Sequence, residues 1–241
     1  MRDLFPARPP FHDASELRRL YLDAKPFPHL VIEGFLPDSL LASVLEEFPP
    51  FDPGFAISEN GIAEGKMNRT DLPGLGESFR ALDQLFGSAE FISFVEEITQ
   101  IRGLIFDPSY YGGGIHCSVA GQELDPHLDF NLHPIEEKLL RRVNVLLYLN
   151  PGWDPERGGD LELYADPRDS DPGRMKRIAP LANRLVIFET NERSWHGHDR
   201  IKTLASDAPR RSVAVYYYTD VRDLPSPPAP HQTIYADRPL I

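Results

Sequence analysis

Cysteine, long apolar runs and positive charge are what this chain has least of, and each shortage excludes something. Cys117 is the only cysteine among 241 residues. No intrachain disulfide and no thiolate zinc site can form, so a bound metal would have to be held by imidazoles and carboxylates. No apolar segment approaches membrane-spanning length, and no membrane partner is expected. The start, Met1 to Phe11, is broken by Pro6, Pro9 and Pro10 and lacks the apolar stretch of a secretory leader. The expectation is a soluble, cytoplasmic protein. Lys and Arg number 25 against 37 Asp and Glu, a formal net charge of −12, and no basic block offsets phosphate repulsion. Nucleic acid is therefore not expected as a direct partner.

Proline, by contrast, is abundant, at 24 residues, which disfavours a helical bundle and suits short strands joined by turns. The first hundred residues read as interrupted helices. After Pro37, Asp38 is placed to cap a segment in which Leu40, Leu41, Val44, Leu45 and Phe48 recur at helical spacing. A second helix is expected over 77–86, with Phe79, Leu82, Leu85 and Phe86 on one side and Gly87 ending it. A third, capped by Ser88, is expected over 89–98. Between the first two, residues 51–73 have no clean period and read as a long loop. From about Gly103 the texture changes to short β-type runs at 115–119, 143–149, 161–164, 184–189 and 212–219. Turn residues separate them, among them Asn150-Pro151-Gly152 and Gly158-Gly159. Residues 223–241 read as an irregular Pro-rich tail laid on the surface or left mobile. We expect one domain: a helical support region over 1–100, a β core over 101–222 and the tail.

The chemistry sits in that β region. In His127-Leu128-Asp129 an extended backbone sends the imidazole and the carboxylate to the same side. A third donor is available in Ser194-Trp195-His196-Gly197-His198, directly after the apolar run Leu185-Val186-Ile187-Phe188; by simple alternation either His196 or His198 could serve. Two histidines and one carboxylate, with three positions left open on one face, is the donor set of non-haem iron(II) oxygenases, whereas zinc prefers a closed tetrahedron. In Arg210-Arg211-Ser212-Val213-Ala214-Val215-Tyr216, alternation puts Arg210, Ser212, Ala214 and Tyr216 on one face and Arg211 on the other. An arginine facing a barrel interior needs an anion, and its planar fork matches a carboxylate, to which Ser212 could add a further bond. An ordinary edge-strand arginine paired with an acid is the bland alternative.

These motifs come in one order: HLDF from His127, RVNVLLYLN from Arg142, Trp153, GGDLEL from Gly158, NRLVIF from Asn183, SWHG from Ser194 and RRS from Arg210. The series resembles the prolyl-hydroxylase branch of the 2-oxoglutarate and iron(II)-dependent dioxygenases over about half the chain. The stretch from Pro26-Phe27-Pro28-His29 to Gly34-Phe35-Leu36 is similar to their lead-in. The resemblance implies a mainly β fold with flanking helices: a double-stranded β-helix, or jelly-roll, with the N-terminal helices packed on its outer face. It implies His127, Asp129 and His196 as ligands of Fe(II), with 2-oxoglutarate and O₂ as co-substrates, and it favours His196 over His198. It implies that Arg210, Ser212 and the Tyr148 hydroxyl hold the distal carboxylate of 2-oxoglutarate, with Asn144 on the same strand face as Tyr148. A strand tyrosine simply buried in the core is the alternative for Tyr148. His116, His133 and His198 are candidates to contact substrate. The segment 112–126 departs from the family in placing no tyrosine where several relatives have one near the co-substrate.

The implied reaction is hydroxylation of an aliphatic C–H, in first place that of a prolyl residue in a peptide or protein, or of a related small molecule, with release of succinate and CO₂. Two other readings use the same strands: a cupin-like metalloenzyme that does without 2-oxoglutarate, and a non-catalytic β-sandwich that binds a protein. Pairing of the metal triplet with Arg210 and Ser212 is needed by the first reading alone. No oligomeric state is legible.

Overall fold

In the strand pairs at the centre of the chain, successive residues alternate between two buried environments. Val143, Val145 and Leu147 share one hydrophobic cluster with Val213, Val215, Tyr217 and the N-terminal helices. Tyr148, together with Val186 and Phe188, packs instead against Leu161, Leu163 and Ile178. A strand buried on both faces needs a layer on each side. One layer is helical and the other is a second sheet.

The computed structural model describes residues 14–56, 65–168, 175–203, 208–226 and 228–236. The Pro-interrupted start, the middle of the expected 51–73 loop and the end of the tail lie outside them. The elements in chain order are α1 (Ala14–Asp23), β1 (His29–Glu33), α2 (Asp38–Glu47), β2 (Met67–Arg69), α3 (Glu77–Phe86), α4 (Ala89–Thr99), β3 (Ile105–Phe106), β4 (Gly114–Ser118) and β5 (Leu124–Leu128). There follow β6 (Leu139–Tyr148), β7 (Leu161–Tyr164), β8 (Met175–Ile178), β9 (Arg184–Glu189), β10 (Trp195–His198), β11 (Arg210–Asp220) and β12 (Ile234–Tyr235). The larger sheet runs β1-β9-β6-β11-β4-β2 with β3 also on β11, and the smaller runs β12-β5-β10-β7-β8. The strands from β4 to β11 shuttle between the two sheets, which is the double-stranded β-helix expected from the sequence.

The three expected helices, α2 to α4, form where the apolar periods place them, with two differences at their ends, while α1 was not among those expected. The Ser88 side chain accepts from the Phe91 N–H at 3.2 Å as the cap of α4, but Pro37, not Asp38, is the N-cap of α2, and no side chain bonds there. Asp38 instead sits in the first turn, where its negative charge meets the positive end of the helix dipole. Gly87 ends α3 without the left-handed conformation its type allows, at φ −84°. Phe79, Leu82, Phe86, Phe91, Val95 and Ile98 from α3 and α4 are wholly buried in the cluster beneath the larger sheet, so the helices cover its outer face.

Seven of the twelve described strands, β1, β2, β3, β5, β8, β10 and β12, lie outside the five runs read as β from the sequence. β1 and β2 lie in the region read as helix and loop, and each adds an edge to the larger sheet. β12 lies in the tail read as irregular, and pairs with β5 so that Tyr235 stands opposite His127.

Candidate active site

His127 at the end of β5 and His196 in β10 are direct partners across an antiparallel ladder. Their ring centroids are 4.3 Å apart. Asp129 follows one residue beyond β5, with Oδ1 at 3.7 Å from His127 Nε2 and Oδ2 at 3.5 Å from His196 Nε2. One ligand atom from each of His127, Asp129 and His196 lies within 4.8 Å of the others, and this is the one such group among the described residues. His198, two residues on, lines the same cavity but stands outside the group.

The tautomers follow from the partners. His127 Nδ1 is 2.9 Å from the Asp125 carbonyl oxygen, and His196 Nδ1 is 2.8 Å from that of Ser194. A carbonyl only accepts, so both Nδ1 atoms carry hydrogen, and both rings turn Nε2 toward Asp129. Two buried imidazoles and one partly buried carboxylate, converging through Nε2 and the carboxylate oxygens, form a donor set that fits a divalent metal. The protonation states agree. Burial alone would raise the Asp129 carboxyl, but the Arg141 guanidinium and the neighbouring histidines hold it well below the usual carboxylate range. Burial, then the neighbouring His127, pushes His196 down to about 4, which keeps its ring neutral near pH 7.

Arg210 opens β11 and is buried at 7 % exposure. Its Nε donates to the Gly159 carbonyl at 2.6 Å, and its Nη2 donates to the Tyr148 hydroxyl at 3.3 Å. The glycine is required there. Gly159 has φ +74°, and a Cβ at that position would come within 3.2 Å of the Arg210 side chain and of the Trp153 ring. Since the Tyr148 oxygen accepts from Arg210, its own hydrogen is left to be donated elsewhere. Ser212 faces Tyr148 across the β11–β6 ladder. The alternation read from the sequence therefore holds: Arg210, Ser212 and Tyr216 line the interior, while Val213, Val215 and Tyr217 pack under the helices.

The triad and the Arg210–Tyr148–Ser212 set line one cavity of about 640 Å³. His116 also lines it, with Nε2 at 3.1 Å from the Gly112 carbonyl oxygen. Two residues fall elsewhere than expected. His133 does not line the cavity: its Nδ1 accepts the Ile135 and Glu136 N–H groups at 3.2 and 3.0 Å, and its Nε2 lies 3.6 Å from Asp107. It holds its own loop together. Asn144 shares the inner face with Tyr148, but its Nδ2 donates to Asp129 Oδ2 at 2.8 Å, toward the triad. The structure adds cavity residues that sequence reasoning missed: Lys66 and Asn68 from the expected loop, Arg141, and Thr233 and Tyr235 from the tail. Tyr235 lies with its ring 5.5 Å from that of His127. Lys66 and Asn68, beside His116, stand in the region where the sequence offered no tyrosine.

The model of the 2OG-Fe(II) oxygenase superfamily matches residues 113–218, which hold every residue of the triad and of the Arg210 set. The chain is 28% identical over 215 residues to prolyl 3-hydroxylase OGFOD1 of Mus musculus, covering 88% of this chain and 35% of that protein. It thus spans about a third of the length of the curated relatives it matches. Among solved structures, a Trichoplax adhaerens prolyl hydroxylase in complex with a peptide fragment of the hypoxia inducible factor oxygen degradation domain superposes with a TM-score of 0.57 at 22% identity, covering 85% of this chain and 91% of that one. A prolyl-4-hydroxylase of Pseudomonas putida gives 0.56 at 21% identity, with 86% and 99% covered. These likenesses establish a shared fold.

Proposed function

We propose that the chain is a 2OG-Fe(II) oxygenase, the superfamily whose model matches residues 113–218, and that it is a dioxygenase hydroxylating an aliphatic C–H, in first place of a prolyl residue in a peptide or protein. Substrate, 2-oxoglutarate and O₂ are consumed; hydroxylated product, succinate and CO₂ are released. The observation that carries this reading is that a buried two-histidine, one-carboxylate group shares a cavity with a buried arginine already paired to a tyrosine hydroxyl. A metalloenzyme without 2-oxoglutarate would have no use for that second set.

Iron(II) would be held by His127 Nε2, His196 Nε2 and the Asp129 carboxylate, and bound there it would supply the centre at which 2-oxoglutarate and O₂ are activated. The protein's own contribution is positional. Arg210 offers a guanidinium fork to the distal carboxylate, the Tyr148 hydroxyl adds its hydrogen, and Ser212 stands beside them. The Gly159 carbonyl fixes the guanidinium from behind. Burial and paired hydrogen bonds make this anchor rigid, so it sets the register of the diacid within the cavity. Phe130, Tyr216, Tyr111 and Tyr235 also line the cavity and give it aromatic walls. The free and buried Cys117 suits a reducing compartment, and the cytoplasm is the setting this reading assumes.

Anaerobic titration of the iron(II) protein with 2-oxoglutarate tests the proposal: a weak visible charge-transfer band should grow to one equivalent. Its absence would remove the reading. In Arg210→Ala the band should require roughly a hundredfold more 2-oxoglutarate, in line with the loss of a charge-assisted pair, while iron still binds. Loss of iron binding in that variant would show that Arg210 belongs to the metal site and not to the co-substrate.

A further inference from the structure

The strand that carries Tyr148 and Asn144 contains one irregularity. Across the β6–β11 ladder Tyr217 pairs with Val143 and Tyr218 pairs with Arg141, so Arg142 has no partner and the register shifts there. In an unbroken strand Arg141 would share the face of Val143, under the helices, and Asn144 would face the opposite way. The bulge turns Arg141 to the inner face instead. Its guanidinium lies 3.4 Å from the Tyr216 ring centroid and 4.7 Å from that of Phe130, and its side chain is 2% exposed.

Arg141 Nε donates to Asn144 Oδ1 at 2.9 Å, and Asn144 Nδ2 donates to Asp129 Oδ2 at 2.8 Å. The amide can stand only this way round. A carboxylate accepts and a guanidinium donates, so a flipped amide would set like against like at both ends. Arg141 Nη2 also lies 3.1 Å from Asp129 Oδ2 but makes no hydrogen bond; the contact is an ion pair off the N–H direction. Asp129 Oδ2 is thus bonded by an amide and flanked by a buried cation.

We propose that Asn144 and Arg141 are positioning residues that commit Oδ2 of Asp129 to the protein and leave Oδ1 as the oxygen offered to the metal. The inference rests on the metal reading above. Its consequence is coordinative: a carboxylate swung round to ligate through both oxygens would take one of the positions that a two-histidine, one-carboxylate set leaves open for incoming ligands. Swinging it would break the Asn144 bond and strand a buried N–H, a state the fold resists. The bulge at Arg142 is the sequence-coded device that brings the cation to bear.

The test uses cobalt(II) as a spectroscopic probe in the metal-free 241-residue chain. Asn144→Leu removes the donor at similar volume, and Asn144→Thr restores a hydroxyl donor. We expect Asn144→Leu to bind one cobalt(II) per chain with a shifted and weakened visible d–d band, and its 2-oxoglutarate Kd to rise at least tenfold. Asn144→Thr should move both back toward wild type. A folded Asn144→Leu protein with the wild-type band and a 2-oxoglutarate Kd within twofold of wild type overturns the proposal. Should that variant fail to fold, Arg141→Lys, which keeps the charge but not the fork, is read by the same two measurements against the same limits. If wild-type protein binds no cobalt(II), or binding survives His127→Ala and His196→Ala, the metal reading itself has failed, and that result is distinct from an unchanged Asn144→Leu spectrum.

Discussion

Each imidazole of the triad is oriented by a backbone carbonyl two residues earlier, Asp125 for His127 and Ser194 for His196. Alternation alone leaves both His196 and His198 open, since both project from one face of β10; in the structure it is His196 that pairs with His127 and groups with Asp129. His196→Ala should therefore abolish stoichiometric metal binding and His198→Ala should spare it, as read by metal titration of each variant; the reverse pattern would reassign the ligand. A further buried histidine contributes to acid behaviour. Burial, and then Lys66, holds His116 well below its usual 6.5. As pH falls through about 6.5 the unfolded chain takes up a proton that the folded chain refuses, so this residue costs stability below that pH at up to about 1.4 kcal/mol per unit. In urea unfolding of metal-free protein, the loss of stability between pH 7 and pH 5 should be smaller in His116→Gln by about 1–2 kcal/mol. An identical loss in both proteins would show that the ring titrates normally.

At the scale of elements, alternation near the site and the Ser88 cap were legible, and what long-range pairing creates was not. The faces of β6 and β11 near the site follow from period-two reading, but Arg141 escaped because the bulge reverses the rule at that point. β12 is two residues long and has no intrinsic reason to be extended; it forms because Asn131 grips the chain leading to it. Asn131 Nδ2 donates to the Ala229 carbonyl at 2.8 Å, its Oδ1 accepts the His231 N–H at 2.9 Å, and Ala236 N–H closes on Pro126 at 2.8 Å. This strap brings Thr233 and Tyr235 into the cavity wall. Asn131→Ala removes both side-chain bonds and should weaken the strap by about 1–2 kcal/mol. Amide exchange at Ala236 should then quicken roughly ten- to thirtyfold, while amides of β6 stay unchanged. Unaltered exchange at Ala236 would mean that strand pairing alone holds the strap.

For the molecule as a whole, the decisive interface is the one between the N-terminal helices and the larger sheet. We propose that residues 1–100 and 101–222 form one folding unit rather than a support and a separable core. Val143, Val145, Leu147, Leu185, Ile187, Val213, Val215 and Tyr217 have no exposed surface, and the helices' Phe79, Leu82, Phe86 and Phe91 fill the same cluster. Tyr217 also donates to the Phe86 carbonyl at 2.7 Å and Tyr110 to Asp83 at 2.9 Å, tying loop and sheet to α3. Baring the sheet side chains would forfeit on the order of 10–20 kcal/mol of burial, as much as the whole net stability of a typical domain, about 5–15 kcal/mol. β1 and β2, both N-terminal, would leave the sheet with two new open edges. The 241-residue chain should accordingly unfold in one urea transition, coincident by near-ultraviolet dichroism and tryptophan fluorescence. A chain cut to 101–241 should show no cooperative transition and should bind an apolar dye. Two separable transitions in the longer chain, or a cooperative and metal-binding fragment, would instead make the β core an independent domain, and the site would then owe nothing to the helices behind it.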